Sequence, residues 1–164
     1  MKPRCAPAPM RLRRGFTLVE IMVTVTILAL LIAVAVPTSR RFQRKAQNTT
    51  FVNNLRIFTQ VFETYAMRNG SWPPDTAAGL VPSGMTGTGE IREDNWTATT
   101  PVGGQWKWDF RTGSNHPRAS ISIVGVTASV DQMKEIDAIL DGTADLNNGN
   151  FKGSGTTYTY TVQY

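Results

Sequence analysis

One stretch constrains this chain more than any other. Phe16 to Val36 is a run of 21 residues whose only charge is Glu20. As a helix rising about 1.5 Å per residue it spans roughly 31 Å, the hydrocarbon thickness of a bilayer. Basic residues stand on both sides, Lys2, Arg4, Arg11, Arg13 and Arg14 before it and Arg40, Arg41, Arg44 and Lys45 after it. With cations at both flanks, the cytoplasmic bias of Lys and Arg barely decides orientation. A basic segment before an apolar run is also the pattern of a secretory signal peptide, and Ala33-Val34-Ala35 supplies a small-residue cleavage pattern. The length of the run and its early glutamate argue against that reading. A carboxylate inside an apolar helix costs about 2.5–3.5 kcal/mol on insertion scales. Glu20 is therefore either interfacial or matched by a specific cation.

The charge balance depends on the segment that precedes the run. The whole chain has 17 Lys and Arg against 12 Asp and Glu, a formal +5. Five of those cations lie in the first 15 residues, and from residue 16 onward the counts are 12 and 12. Residues 46–164 hold 8 basic and 11 acidic side chains, the wrong balance for a phosphate-binding surface. Cys5 is the only cysteine, which excludes a disulfide framework and a cysteine-built zinc site. His116 is the only histidine. No nucleophile elbow or phosphate-cradling glycine loop is present, so no catalytic residue is assigned.

Gly15-Phe16-Thr17-Leu18-Val19-Glu20, with basic residues before it and an apolar helix after it, resembles the type IV prepilin signal. That signal is shared by type IV pilins and the pseudopilins of type II secretion, and the close match covers residues 11–45. The resemblance implies that a prepilin peptidase cuts between Gly15 and Phe16 and that the new amine of Phe16 is N-methylated. It makes Glu20 the fifth mature residue, and Pro37 falls where many members carry a helix-perturbing proline. Met10 offers a second, more compact start for the leader. A cut at Gly15 places a positive amine about one helical turn from Glu20. Between staggered subunits, that carboxylate can meet a neighbour's amine and set the axial register.

Beyond the span, Phe51, Leu55, Phe58, Phe62 and Tyr65 recur at steps of four, three, four and three. This spacing predicts an amphipathic helix continuing to about Met67, packed under the chain's own head rather than in a coiled coil. Pro37 is expected to kink or locally melt it. Arg40 to Lys45 read either as a solvated face or as a contact for anionic lipid headgroups. A long ordered loop rich in Gly, Pro, Ser and Thr follows from Ser71 to about Gly104. Its start, from Tyr65 through Pro73 to Gly79-Leu80, resembles the major pseudopilin of type II secretion, and the Gly103-Gly104 turn into Trp106 resembles the opening of many pseudopilin sheets.

Alternation predicts strands at 105–110, 119–126 and 156–164, with a helix at about 130–140. The stripe Trp106, Trp108 and Phe110 is read as a sheet face on the helix rather than a base-stacking platform. Glu135, Asp137 and Asp141 are read as a solvated helix face. Asp141, Asp145 and Asn147, with Asn148 and Asn150, form an oxygen-rich loop that makes calcium a candidate ligand, though Asn-Gly stretches are usually turns. Asn48 and Asn95 each begin a glycosylation sequon.

The expected fold is α+β: a long N-terminal helix, transmembrane then amphipathic, packed against a small antiparallel sheet. Residues 1–15 are the leader, 16–36 the membrane helix, 37–68 its outer half, and 69–164 a head of loop, three strands and one short helix. By resemblance the chain is a filament subunit, a type II secretion pseudopilin that helps drive protein export across the outer membrane. The alternative is a type IV pilus subunit for adhesion, motility or DNA uptake, and a third reading is a membrane-anchored enzyme or ligand-binding module. The implied partners are further copies of the chain, other pseudopilins, a prepilin peptidase and an inner-membrane assembly platform, without nucleic acid. The implied location is the bacterial inner membrane, single-pass, with the N-terminus cytoplasmic and the head periplasmic. No cofactor is expected apart from the calcium candidate.

Overall fold

The computed structural model describes residues 15–111 and 119–163. His116, Cys5 and the basic leader residues lie outside them. Helix α1 is Leu18–Asn69, and the chain divides into two units, Met1–Arg41 and Phe42–Tyr164.

In the first unit, every described residue is exposed. The segment Leu18–Asn69 contains a stretch apolar and long enough to cross a membrane. Its hydroxyls are satisfied locally: Thr24 donates to the Ile21 carbonyl (2.9 Å), Thr26 to Met22 (2.8 Å) and Thr38 to Val34 (2.9 Å). Such back-bonding lets threonine sit in an apolar helix without a bare polar group. Local melting at Pro37 is not found, and the helical assignment runs through it. Proline removes a single donor, and the Thr38 hydroxyl supplies an added one to the neighbouring Val34 carbonyl.

In the second unit, the helical stripe becomes the core. Phe51, Leu55, Phe58 and Phe62 are buried, and Tyr65 is partly so. Strands β1 (Gln105–Phe110), β2 (Ala119–Val124), β3 (Phe151–Ser154) and β4 (Thr157–Gln163) form one antiparallel sheet in the order β1-β2-β4-β3. Period-two geometry puts Trp106, Trp108, Ile121, Ile123 and Tyr158 on one face, all buried. That face meets the helix through aromatic pairs. Phe51 stacks on Trp106 at 5.0 Å between centroids, and Phe58 meets the same indole edge-on at 5.2 Å. Such pairs contribute about 0.5–1.5 kcal/mol each beyond area burial.

The turn into β1 requires glycine. Gly103 and Gly104 have φ of +83° and +75°, and a Cβ on Gly104 would stand 2.5 Å from the Val124 carbonyl oxygen. The outer edge of β1 is covered by the preceding loop, where Thr76 and Gly79 donate to the carbonyls of Trp108 and Trp106.

Two elements differ from the expectation of three strands and one helix. The first is α2 (Glu93–Thr97), a single turn inside the long loop, anchored by buried Trp96, whose Nε1 donates to the Leu80 carbonyl at 2.7 Å. The second is β3, four residues with only Phe151 apolar, too short for alternation to register. Phe151 is buried and stacked on Tyr158, and Gly155 (φ +62°) supplies the positive φ of a two-residue hairpin loop. Helix α3 (Val130–Leu140) is capped by Ser129, whose hydroxyl accepts from Gln132 N, and it buries Met133 and Ile136.

Candidate functional site

Gly15, Phe16 and Thr17 precede α1. Thr17 closes its first turn: its carbonyl accepts from Ile21 N at 3.3 Å and its hydroxyl from Glu20 N at 3.2 Å. Thr17 and Glu20 thus occupy the N-cap and N3 positions, with the hydroxyl half of a capping box formed and its carboxylate half unmade. The carboxylate in the first turn is also favoured by the positive end of the helix. Phe16 is 77 % exposed, and Glu20 is exposed with its carboxylate in no hydrogen bond or ion pair among the described residues. A side chain added to Gly15 would meet nothing within 4 Å. Among the described residues, packing places no demand for glycine there.

The helix is tied to α3 by side chains the sequence reading had left in solvent. Asn48 is buried; its amide donates to Glu135 Oε2 at 2.9 Å and its carbonyl oxygen accepts from Gln132 Nε2 at 2.9 Å. Arg44 reaches Glu135 Oε1 at 3.4 Å. The Asn48 sequon is therefore closed to modification, whereas Asn95 is exposed on α2.

Asp137 is the larger correction. It is fully buried rather than solvated, because the segment after α3 folds back over the helix end. Its Oδ2 accepts from Asp145 N at 2.9 Å and from the Thr143 hydroxyl at 3.3 Å, while Oδ1 has no partner among the described residues. Burial, more than the nearby carboxylates of Asp141 and Asp145, pushes its pKa up against those two hydrogen bonds. The only sequence signal was negative: a carboxylate on the same helical face as Met133 and Ile136.

The oxygen-rich loop uses its carboxylates on itself. Asp145 Oδ1 accepts from the Asn147 backbone and side chain, both at 3.1 Å, and Oδ2 from the Asn148 amide at 2.6 Å. Those bonds, the Asn148 one foremost, hold its pKa below the ordinary range. Asp141 Oδ2 accepts from Phe151 N at 2.8 Å, capping the free edge of β3. Asn147 is thus a donor to Asp145 here. Among the described residues no three or more His, Cys, Asp or Glu side chains gather to hold a metal ion.

Trp106 and Trp108 are fully buried against the helix and present no face for a base to stack on. The remaining polar features are structural: Lys107 and Asp109 pair on the outer face of the sheet, where Ser122 also bonds Asp109 and Thr159.

Several known proteins are similar to this chain. The prokaryotic N-terminal methylation motif matches residues 10–36. Fimbrial protein Q of Moraxella bovis is 28% identical over 117 residues, covering 68% of this chain and 71% of that protein. The type IV wide pilus major component PilA4 of Thermus thermophilus is 26% identical over 130 residues, covering 67% and 98%. A type IV major pilin, PilE1 of Neisseria gonorrhoeae, is 30% identical over 96 residues; the match covers 56% of this chain and about half (53%) of the relative. The solved major type IV pilin PilA1 of Clostridium difficile aligns with a TM-score of 0.46 at 14% identity, over 74% of this chain and 97% of that one. The chain is thus similar in sequence to type IV pilins, most specifically in its N-terminal motif.

Proposed function

We propose that the chain is made as a precursor, cut between Gly15 and Phe16, N-methylated on Phe16, and assembled with further copies into a type IV pilus-like filament. The observation that carries this reading is Gly15-Phe16-Thr17-Leu18-Val19-Glu20 at the mouth of an exposed apolar helix, inside the matched methylation motif. An apolar helix bare along its length needs an apolar surrounding, the bilayer before assembly and neighbouring helices after it. The cut creates the amine that offsets the cost of burying Glu20. Residues 1–15 are then the removed leader. The N-terminus of the helix faces the cytoplasm, where the peptidase acts, and residues 69–164 form the head outside.

Two uses of such a filament follow. The likeness of Tyr65 to Leu80 and of the Gly103-Gly104 turn to pseudopilins supports a short periplasmic filament of type II secretion, built on an inner-membrane platform. The relatives named above are pilus proteins, which supports a pilus for adhesion, motility or DNA uptake. Deleting the gene separates the two, through loss of exported proteins or loss of surface fibres. The processing reading is tested by N-terminal mass spectrometry of protein extracted from membranes. A methylated Phe16 terminus is expected; a start at Val36 or Pro37 would overturn the reading.

A further inference from the structure

Arg40, Arg41, Arg44 and Lys45 follow the apolar run within nine residues of Val36, and no acid occurs between Glu20 and Glu63. At 100° per residue their positions along α1 fall within about 140° of arc, one stripe of the helix. All four are exposed. Two pairs, Arg40 with Arg44 and Arg41 with Lys45, are like charges at i and i+4, a spacing that destabilises a helix by itself. Glu135 relieves Arg44. Arg40, Arg41 and Lys45 enter no ion pair among the described residues. Three cations thus stand without a balancing acid among the described residues, and a source of negative charge outside the chain would relieve their repulsion.

Position identifies that source. The stripe begins about 6 Å and ends about 14 Å beyond Val36 along the helix. The headgroup layer on each side of a bilayer core is about 5–8 Å deep. Arg and Lys carry their charge on long apolar stems that bend back toward an interface. Resting on the membrane reading above, we propose that Arg40, Arg41 and Lys45 form a collar that binds the phosphates of anionic phospholipids at the outer end of the span. Bound lipid would hold the subunit at a fixed depth until assembly withdraws it.

The test is the association constant of spin-labelled phosphatidylglycerol relative to phosphatidylcholine around the full-length chain in phosphatidylcholine vesicles. A preference of several-fold for the anionic lipid is expected at low salt, falling as salt is raised. Combined R40Q, R41Q and K45Q should bring the ratio close to one, whereas R56Q, the next cation along the same helix, should leave it. A ratio near one in the unaltered chain, or an unchanged ratio in the triple variant, overturns the collar. So does full competition by millimolar inorganic phosphate, which would indicate a free-anion site. Glu20→Val should keep the preference, so a failed assembly reading and a failed collar are separable. A chain that does not enter the vesicles overturns both.

Discussion

Phe62 of α1 lies flat on Trp108 of β1, with ring centroids 3.9 Å apart and planes 7° apart. Trp72 tilts against the same indole at 5.5 Å, and Trp108 Nε1 donates to the Pro73 carbonyl at 2.9 Å. Helix, sheet and loop therefore meet on one side chain whose single polar atom is satisfied. Replacing Phe62 with alanine leaves a ring-sized hole under it that a sheet fixed by four strands cannot close. The expected loss is about 3–5 kcal/mol in chemical denaturation followed by tryptophan fluorescence. A loss below 1 kcal/mol would mean that the helix does not pack there.

Asn48 and Arg44 both reach Glu135, and their burial separates their worth. Asn48→Ala leaves buried Gln132 with only the long bond from its Nε2 to Gln47 Oε1 (3.4 Å) and should cost about 1–3 kcal/mol. Arg44→Ala removes an exposed ion pair and should cost no more than about 1 kcal/mol. Equal effects would contradict the assignment of the tie to Asn48.

The parts of this fold that read directly from sequence are those with a period. The helical stripe from Phe51 to Tyr65, the alternation of Trp106 and Trp108, and the apolar face of α3 each placed an element within a few residues. The turn α2 and the strand β3 lacked such a signal: one is a single turn held by Trp96, the other four residues held by Phe151. Asp137 was misread because a carboxylate on a helix is usually solvated; what covers it is the segment holding Thr143 and Asp145, just past the helix end, folding back. The N-terminal motif was legible for a different reason. In the proposed processing its residues serve partners outside the chain, so no packing information was needed to see them, and the structure adds only that the Thr17 hydroxyl accepts from Glu20 N.

Glu20→Val should leave processing intact and abolish assembly. Mass spectrometry should find the variant starting at methylated Phe16, because its peptide bond at Gly15 is untouched. Co-expressed with the unaltered chain, it should be absent from sheared or purified filaments. Normal incorporation would remove Glu20 from the register mechanism.

The Asp141 carboxylate caps Phe151 N, and a Cβ at Gly149 would come within 2.3 Å of it. Asp141→Ala should free the β3 edge and cost about 1–3 kcal/mol. If the carboxylates serve only to hold the loop, that cost is the same in calcium and in chelator. A thermal shift with calcium in the unaltered chain, lost in Asp141→Ala, would assign the loop to the ion instead.

Asp137 sets a pH dependence of opposite sign to that of an ordinary carboxylate. Its pKa is raised on folding, so the folded state binds the proton more tightly than the unfolded chain. Its contribution is full below the unfolded value of about 3.9 and is lost as pH rises through the folded value. Asp145, lowered by its asparagine neighbours, acts in the other direction and loses its contribution as pH falls. Asp137→Asn keeps an oxygen acceptor for Asp145 N and Thr143 but cannot ionise. Its stability relative to the unaltered chain should therefore improve as pH rises above about 4, and level off once the folded carboxyl has ionised. Asp137→Ala, which leaves Asp145 N without its acceptor, should be destabilised across that range. Denaturation midpoints for the three proteins over the same pH series decide the matter: parallel curves for Asp137→Asn and the unaltered chain would show that the buried carboxyl does not titrate there.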